Sequence, residues 1–422
     1  MDSMLDDRFV LDDSSAVGLS EQFGTPLYVV SEAAFRARLR RYREAFSAAY
    51  PATRLSYASK ANSILTILRI AYEEGYDVDV ASEGELRAAL LAGIPASHCH
   101  LHGNAKAERE LDFALEQAIG EILVDNFREL DRLVSRDLGA TKLMLRLAPG
   151  VDPKTHRAIS TGQADTKFGF NIADGSGERA VRICLDNKLP LHGFHCHVGS
   201  QLLDPEAQRA GGAQIASFAI EMEQKHGFVA DLLNVGGGLG VRYLADYQPM
   251  QAAEYCQLIV EAVLTHLGDR RPTLAQEPGR SMIAEAGVTL YRVEVIKEVP
   301  TIQGRKRYVV VDGGLSDNPR SAMYEAKYEV RAIASGETSL ATVSGKHCET
   351  DTLFADIHLP TNLAEGDLLQ VLCTGAYNAS MASNYNRFPR PACVLVGLDG
   401  HAKVIQKRET WDEVFSSQVP PG

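Results

Sequence analysis

The sequence predicts an α/β plus β protein: a (β/α)8 barrel followed by a C-terminal, mostly antiparallel β domain. Three observations carry this expectation. Between about residues 54 and 282, eight short apolar runs alternate with amphipathic helical stretches. Unusual polar residues collect where each run hands over to its loop. After about residue 285 the rhythm changes to alternating or apolar strands divided by Gly and Pro turns.

A chain of 422 residues exceeds one ordinary core, so two domains are expected. The barrel is assigned to 35–284, and the β domain to 1–34 plus 285–422. The stretch Thr25-Pro26-Leu27-Tyr28-Val29-Val30 reads as a strand that precedes the barrel and could add to it. The eight runs fall at 54–59, 77–82, 99–103, 121–125, 142–147, 191–197, 231–235 and 273–277. Helical stretches fall between them at 83–92, 106–118, 176–188, 205–226 and 250–267. Directly after Lys60 a further helical pattern starts, with Ile64, Leu65, Ile67, Leu68 and Ala71 on one face. The uneven spacing makes this periodic architecture without sequence repeats. In the β domain, 288–295, 307–312 and 368–372 supply the clearest strands.

Composition excludes several function classes. A hydrophobic content of 45% with 23% charged residues describes a globular chain. The net charge of -12 argues against nucleic acid and against anionic membrane surfaces. No apolar run approaches the ~18 residues needed to span a bilayer. The first residues, Met1-Asp2-Ser3-Met4-Leu5-Asp6-Asp7, are acidic and lack the layout of a signal peptide. Seven cysteines without CxxC spacing suit free thiols in a reducing cytoplasm.

The first run, Leu55-Ser56-Tyr57-Ala58-Ser59-Lys60-Ala61-Asn62, ends in a single lysine. The C-terminal tip of a barrel strand is where this architecture keeps its chemistry. Desolvated there, the amine can lose its proton and form a Schiff base with an aldehyde such as pyridoxal phosphate. The plain alternative is a snorkelling surface lysine. The other strand ends weigh against that alternative. They carry Asp79 with Ser82 and Glu85, His102 and Asn104, Arg146, His197 with Ser200, Gly236 to Gly240, and Glu277 with Arg280. Random placement would spread such groups over both barrel faces.

Gly236-Gly237-Gly238-Leu239-Gly240 looks like a dinucleotide loop, but that motif requires glycine where Val241 stands. This weakens a Rossmann oxidoreductase. Glycine amides at a loop–helix junction can instead cradle one phosphate, the alternative being a plain βα turn. His98-Cys99-His100 and His195-Cys196-His197 invite a metal, yet no third or fourth ligand stands at metal spacing, so no metal is expected. His197 is better placed to stack on a flat heterocycle. In Glu277-Pro278-Gly279-Arg280-Ser281, a carboxylate in the barrel mouth could keep a pyridine nitrogen protonated. The alternative there is a structural Glu–Arg salt bridge.

Together these segments resemble the fold type III, alanine-racemase-like pyridoxal-phosphate decarboxylases, over about residues 24–396. Further matching segments are Asp317-Asn318-Pro319-Arg320, His347-Cys348-Glu349, Gly375-Ala376-Tyr377 and Ser383-Asn384-Tyr385-Asn386. The resemblance implies a β-sandwich or Greek-key β-barrel as the second domain. It implies that Lys60 carries pyridoxal 5'-phosphate, that His197 stacks on its ring, and that Glu277 pairs with its nitrogen. Asp79, Ser200, Gly236, Gly237, Gly238, Gly279, Arg280 and Tyr377 would surround the cofactor. Arg280, Arg320, Tyr324, Glu349 and Tyr377 would hold an amino-acid substrate, with Arg320, Tyr324 and Glu349 at its far end. Cys348, arriving from the partner subunit of a homodimer with shared sites, would be the proton donor. The family often shows Cys-Glu-Ser-Gly-Asp where this chain has Cys348-Glu349-Thr350-Asp351-Thr352, so either one residue is deleted or Thr352 takes the Asp position. Relatives acting on ornithine, arginine or carboxynorspermidine are the alternatives. Arg320 favours a distal carboxylate over a distal cation. A catalytically inactive homologue would have lost Lys60 or Cys348, and both are present.

Overall fold

Eight parallel strands close into a ring: Thr53–Ala58, Asp77–Val80, Cys99–Leu101, Glu121–Val124, Lys142–Ala148, Leu191–Cys196, Leu232–Asn234 and Thr273–Gln276. Each pairs with the next, and the eighth pairs with the first. Each of the eight apolar runs is therefore a barrel strand. The computed structural model describes residues 8–151, 166–302 and 304–421; the acidic segment read for a signal peptide lies outside them.

The barrel interior follows from the two-residue period of a strand. Leu123, Met144, Leu232 and Ala275 form an apolar cluster from four strands. Two places further along three of those strands stand Arg146, Asn234 and Glu277, on the same face and toward the C-terminal end. At the opposite end, Arg54 binds Glu121 through two bonds of 2.5 and 2.7 Å, and His192 Nε2 lies 3.2 Å from the same carboxylate. The interior thus departs from the usual layers of branched aliphatic residues. It is an apolar belt with charged groups on either side.

Local signals set the outer helices. Ser82 caps Glu83–Leu91 by accepting from Glu85 N–H, and Asn126 caps Phe127–Val134 by accepting from Glu129 N–H. The helix after Lys60 does not start at once. A 3-10 turn, Ser59–Ala61, and three further residues precede Leu65–Glu73. Within that helix Ile67, Leu68, Ile70 and Ala71 are buried, while Leu65, its first residue, is 42% exposed. A long helix, Glu32–Ala49, was not foreseen from the sequence, although Phe35, Leu39, Tyr42 and Phe46 line its buried face at helical spacing.

The chain divides into two compact units. One is the barrel, Arg36–Val241 with Gln248–Ser281; the other comprises Met1–Phe35, Arg242–Tyr247 and Met282–Gly422. The second unit carries a mixed, mostly antiparallel sheet that is nine-stranded among the described residues. Strand Leu27–Ser31 belongs here and adds nothing to the barrel. It pairs antiparallel with Gly287–Thr301 and parallel with Ala392–Val396, and all five of its residues are buried between them. The segment 242–247, read with the barrel from sequence, packs in this unit through Tyr243, whose hydroxyl accepts from Arg320. Among the described residues no helix is long and apolar enough to cross a membrane.

Gly193 shows how tightly the ring closes. The pairing of the fifth and sixth strands slips by one residue between Leu143/Leu191 and Met144/Gly193. A Cβ on Gly193 would lie 2.1 Å from the Leu232 carbonyl oxygen. Gly193→Ala is expected to lower stability by about 1–3 kcal/mol. A wild-type urea midpoint in that variant would refute the close approach.

Candidate active site

The C-terminal ends of the barrel strands gather Lys60, Asp79, His102, Arg146, His195, His197, Asn234 and Glu277 within electrostatic or hydrogen-bond reach of one another. Glu277, one residue past the eighth strand, is buried, and its carboxylate is held on both sides. Asn234 Nδ2 donates to Oε1 at 2.6 Å; His195 Nε2 lies 3.1 Å from Oε2, and His102 Nε2 lies 3.1 Å from Oε1. Burial by itself would raise the pKa of Glu277, but His102 and His195 outweigh it and hold the group well below the usual carboxylate range. Asp79 goes the other way. Its burial, the largest influence, pushes it up. Two neighbouring carboxyl groups are thus shifted in opposite directions.

His197 follows the sixth strand and is half-buried. Burial, then Lys60 and Arg146, push its pKa well below the usual value, so its ring is neutral at pH 7. Lys60 itself is exposed although Ser59 and Ala61 on either side are buried. The desolvation expected of its amine is therefore absent, because the 3-10 turn tucks the neighbours inward and leaves the lysine at the mouth. Glu85 fixes that turn: it accepts from Ser59 Oγ and from Ala81 N–H, both at 2.7 Å. Ser82 thus serves the backbone as a helix cap, while Glu85 holds the turn and also adds negative charge beside Asp79.

The glycine loop is more committed than its sequence suggests. Gly236 N–H donates to Asn234 Oδ1 at 2.9 Å, and Gly237 N–H reaches His197 Nδ1 at 3.3 Å. A Cβ at Gly236 would lie 2.5 Å from the Cys196 carbonyl oxygen, and one at Gly237 would lie 2.4 Å from that of Glu277. Glycine is required here for close packing. The Gly236 amide is already satisfied within the protein and is not part of an anion cradle. Nearby, Arg280 Nε donates to Ser200 Oγ at 3.2 Å, setting a cation beside a hydroxyl. Spacing alone offered the histidines no third metal ligand, but folding does: ligand atoms of His102, His195 and Glu277 lie within 4.8 Å of one another. Each imidazole already sits at hydrogen-bonding distance from a carboxylate oxygen, so we read the trio as an acid–base group. His195 and Asn234 had been given no part in it by sequence reasoning.

In the second unit, Arg320 opens the short helix Arg320–Tyr324 and is buried. Its Nη1 donates to Tyr243 Oη at 2.9 Å and to Tyr328 Oη at 2.6 Å. The guanidinium lies 5.2 to 5.9 Å from the rings of Tyr243, Tyr324, Tyr328 and Tyr377. Both bonds leave from Nη1, so the Nη2–Nε edge suits a bidentate carboxylate. Tyr377 holds a left-handed φ of +63°, strain that a non-glycine residue keeps only when its surroundings impose it. Cys348 and Glu349 are exposed. Cys348 N–H donates to Asn386 Oδ1 at 3.1 Å, and the Tyr385 hydroxyl donates to Glu349. Asp351 is the buried anchor of this loop, with His347 Nδ1 at 2.6 Å and the Leu315 N–H at 2.8 Å from its carboxylate. Thr352 begins the following strand.

A profile of the pyridoxal-dependent decarboxylases, pyridoxal binding domain, matches residues 33–284. The chain is 44% identical to the diaminopimelate decarboxylase of Bacillus subtilis (strain 168) over 416 residues, spanning 96% of this chain and 94% of that one. Among solved structures, diaminopimelate decarboxylase from M. jannaschii in co-complex with L-lysine has a TM-score of 0.90 at 34% identity, covering 99% of this chain and 98% of that chain. The Helicobacter pylori enzyme complexed with L-lysine has a TM-score of 0.84 at 32% identity, covering 95% and 98%.

The turn leading into Arg320 rests on buried Asp317, which accepts from the Tyr291 hydroxyl and, at 2.9 Å, from Gly314 N–H. Burial pushes its carboxyl up to about 7. The folded value lies above the unfolded one. Its stabilising contribution is therefore complete below the unfolded pKa and is lost as pH rises from about 4 to about 7. Asp317→Asn should flatten that decline by an amount on the order of 2–4 kcal/mol. Unfolding midpoints compared at the two ends of this window would check it, and an equal decline in both proteins would refute it.

Proposed function

The chain belongs to the diaminopimelate decarboxylases, within the pyridoxal-dependent decarboxylases, and we propose that it removes one carboxylate of meso-2,6-diaminopimelate as carbon dioxide, leaving L-lysine. It is a carboxy-lyase dependent on pyridoxal 5'-phosphate. The observation that carries the residue assignment is the buried, ionised Glu277 in the same strand-end cluster as Lys60.

The residues present fit the cofactor. At Gly238 a Cβ would meet Leu202 Cδ1 at 2.9 Å and the Gly199 carbonyl oxygen at 3.1 Å, so only a bare backbone can line that turn. The Gly238 amide with Ser200 and Arg280 would hold the phosphate. Lys60 would hold the aldehyde, Asp79 and Gly279 would complete the surroundings, and the neutral His197 ring would lie against the heterocycle. Pyridoxal phosphate, when bound, supplies a sink for the electron pair left as the Cα–carboxylate bond breaks. Glu277 keeps a proton at the ring nitrogen, since an ionised carboxylate favours the protonated partner. Arg320 grips the distal carboxylate through Nη2 and Nε while Tyr243 and Tyr328 retain Nη1. Glu349 and Tyr324 attend the distal amino group, and Tyr377 closes around the substrate. Cys348 delivers a proton to Cα. A distal amine, as in ornithine, would meet the cationic Arg320 and be repelled.

The active form in this reading is a homodimer in which Cys348 and Glu349 serve the partner's lysine. Their exposure on the single chain supports this. The absence of a disulfide among the described residues supports a reducing, cytoplasmic setting.

Carbon dioxide release by the purified protein with pyridoxal phosphate is expected from meso-diaminopimelate and to be far slower from ornithine, lysine or arginine. Arg320→Ala should raise KM for diaminopimelate by about ten- to a hundredfold, the worth of one charge-assisted contact, and leave the cofactor's visible absorbance in place. An unchanged KM would remove Arg320 from the distal site.

Lys60→Ala and Cys348→Ala homodimers should each be nearly inactive. Co-refolded in equal amounts, they should regain up to about a quarter of wild-type activity, because half the dimers are mixed and each mixed dimer holds one intact site. If subunits exchange and nothing returns, the donor lies in the same chain or is another residue.

A further inference from the structure

We infer that His102 is a positioning residue: lodged between Asp79 and Glu277, it acts with His195 and Asn234 to hold Glu277 as an oriented carboxylate for the cofactor's ring nitrogen. The inference rests on assigning Glu277 to that nitrogen.

His102 directly follows the third barrel strand, two places after His100, and so shares its inward face. Its main-chain N–H donates to the Val80 carbonyl at 2.8 Å, fixing the backbone. The ring meets His195 edge-on, with centroids 5.1 Å apart and planes at 78°. Its Nε2 lies 3.1 Å from Glu277 Oε1 and 3.5 Å from Asp79 Oδ1. The approach to Glu277 is oblique, and the buried Nε2 has no single well-aligned partner. Asn234 and His195 each serve one oxygen of Glu277. His102 differs by facing two carboxyl groups at once.

Two carboxyl groups this near one another oppose joint ionisation unless positive potential stands between them. The charged or titratable groups around the pair are Lys60 from the turn after the first strand, Glu85 from the helix after the second, Arg146 from the fifth, and His195 and His197 from the sixth. The third strand contributes His102 itself, and the seventh only the neutral Asn234. An Nε2–H on His102 is the group placed to favour the charge on Glu277 and to separate it from Asp79.

The test begins on the wild-type apoprotein labelled with 15N-histidine, His102 being assigned by its loss in His102→Gln. Long-range 1H–15N spectra should show Nε2 protonated throughout pH 6–8; a bare Nε2 would overturn the proposal. Carboxylate infrared difference spectra against Glu277→Gln should show Glu277 titrating at higher pH in His102→Leu. In the holoenzyme, His102→Leu should lower kcat by about ten- to a hundredfold with KM within twofold, and His102→Gln, which keeps a donor, should recover most of kcat. A folded His102→Leu protein with wild-type kcat and an unmoved Glu277 band would overturn it, as would a change confined to KM. Glu277→Gln separates the underlying assignment: if that variant keeps wild-type kcat and absorbance, Glu277 does not serve the ring nitrogen, whatever the spectra say of His102.

Discussion

A carboxylate buried at the centre of the barrel mouth is the constraint on which the rest depends. Taking Glu277 out of water costs several kcal/mol unless its oxygens are satisfied. The surrounding groups come from far apart in the chain: His195 on the sixth strand and Asn234 on the seventh hydrogen-bond the two oxygens, and His102 after the third lies 3.1 Å from Oε1. They reach one carboxylate only if the ring closes in a fixed register. The slip at Gly193, tight against Leu232, belongs to that register, since His195 and Asn234 follow these two residues by two places. The apolar belt of Leu123, Met144, Leu232 and Ala275 then divides this charge from the Arg54–Glu121 pair at the other end. Neither set has to neutralise the other.

The second unit handles a buried charge in the opposite manner. Arg320 is surrounded by tyrosine rings and bonded to two hydroxyls, and among the described residues no carboxylate pairs with it. Hydroxyls orient a guanidinium and leave its charge uncompensated. An anion arriving at the Nη2–Nε edge would restore the balance, and on the role proposed for Arg320 a dicarboxylic substrate would suit this chain better than a diamine. Glu277 is a charge completed by the protein, and Arg320 is a charge left for a ligand to complete.

The sequence made the barrel legible because each strand is a short apolar run ended by a polar residue, and the eight runs became the eight strands. It also placed Lys60, Asp79, His197 and Glu277 at strand ends, where the fold puts them. What it hid were relations between distant segments. His195 read as half of a metal-like pair, and its partnership with Glu277 exists only across the closed ring. Asn234 could have been found, since it follows Leu232 by two places just as Glu277 follows Ala275. Strand Leu27–Ser31 lies in the β domain to which residues 1–34 are assigned; what the sequence does not show is its pairing, which is with Gly287–Thr301 and Ala392–Val396 and not with the barrel. Leu65, read on the buried face, is instead the exposed first residue of its helix.

The unequal exposure of Lys60 and Glu277 fits the unequal tasks proposed for them. Desolvation would favour a neutral amine, and burial of the lysine was the sequence expectation for that reason. The fold leaves Lys60 exposed on its tight turn and buries the carboxylate instead. A lysine that must yield its position to each incoming amino group needs room to move and access to water for proton exchange. A carboxylate that only has to hold one proton in place needs neither, and works best where its geometry is fixed by three neighbours and its field is least screened.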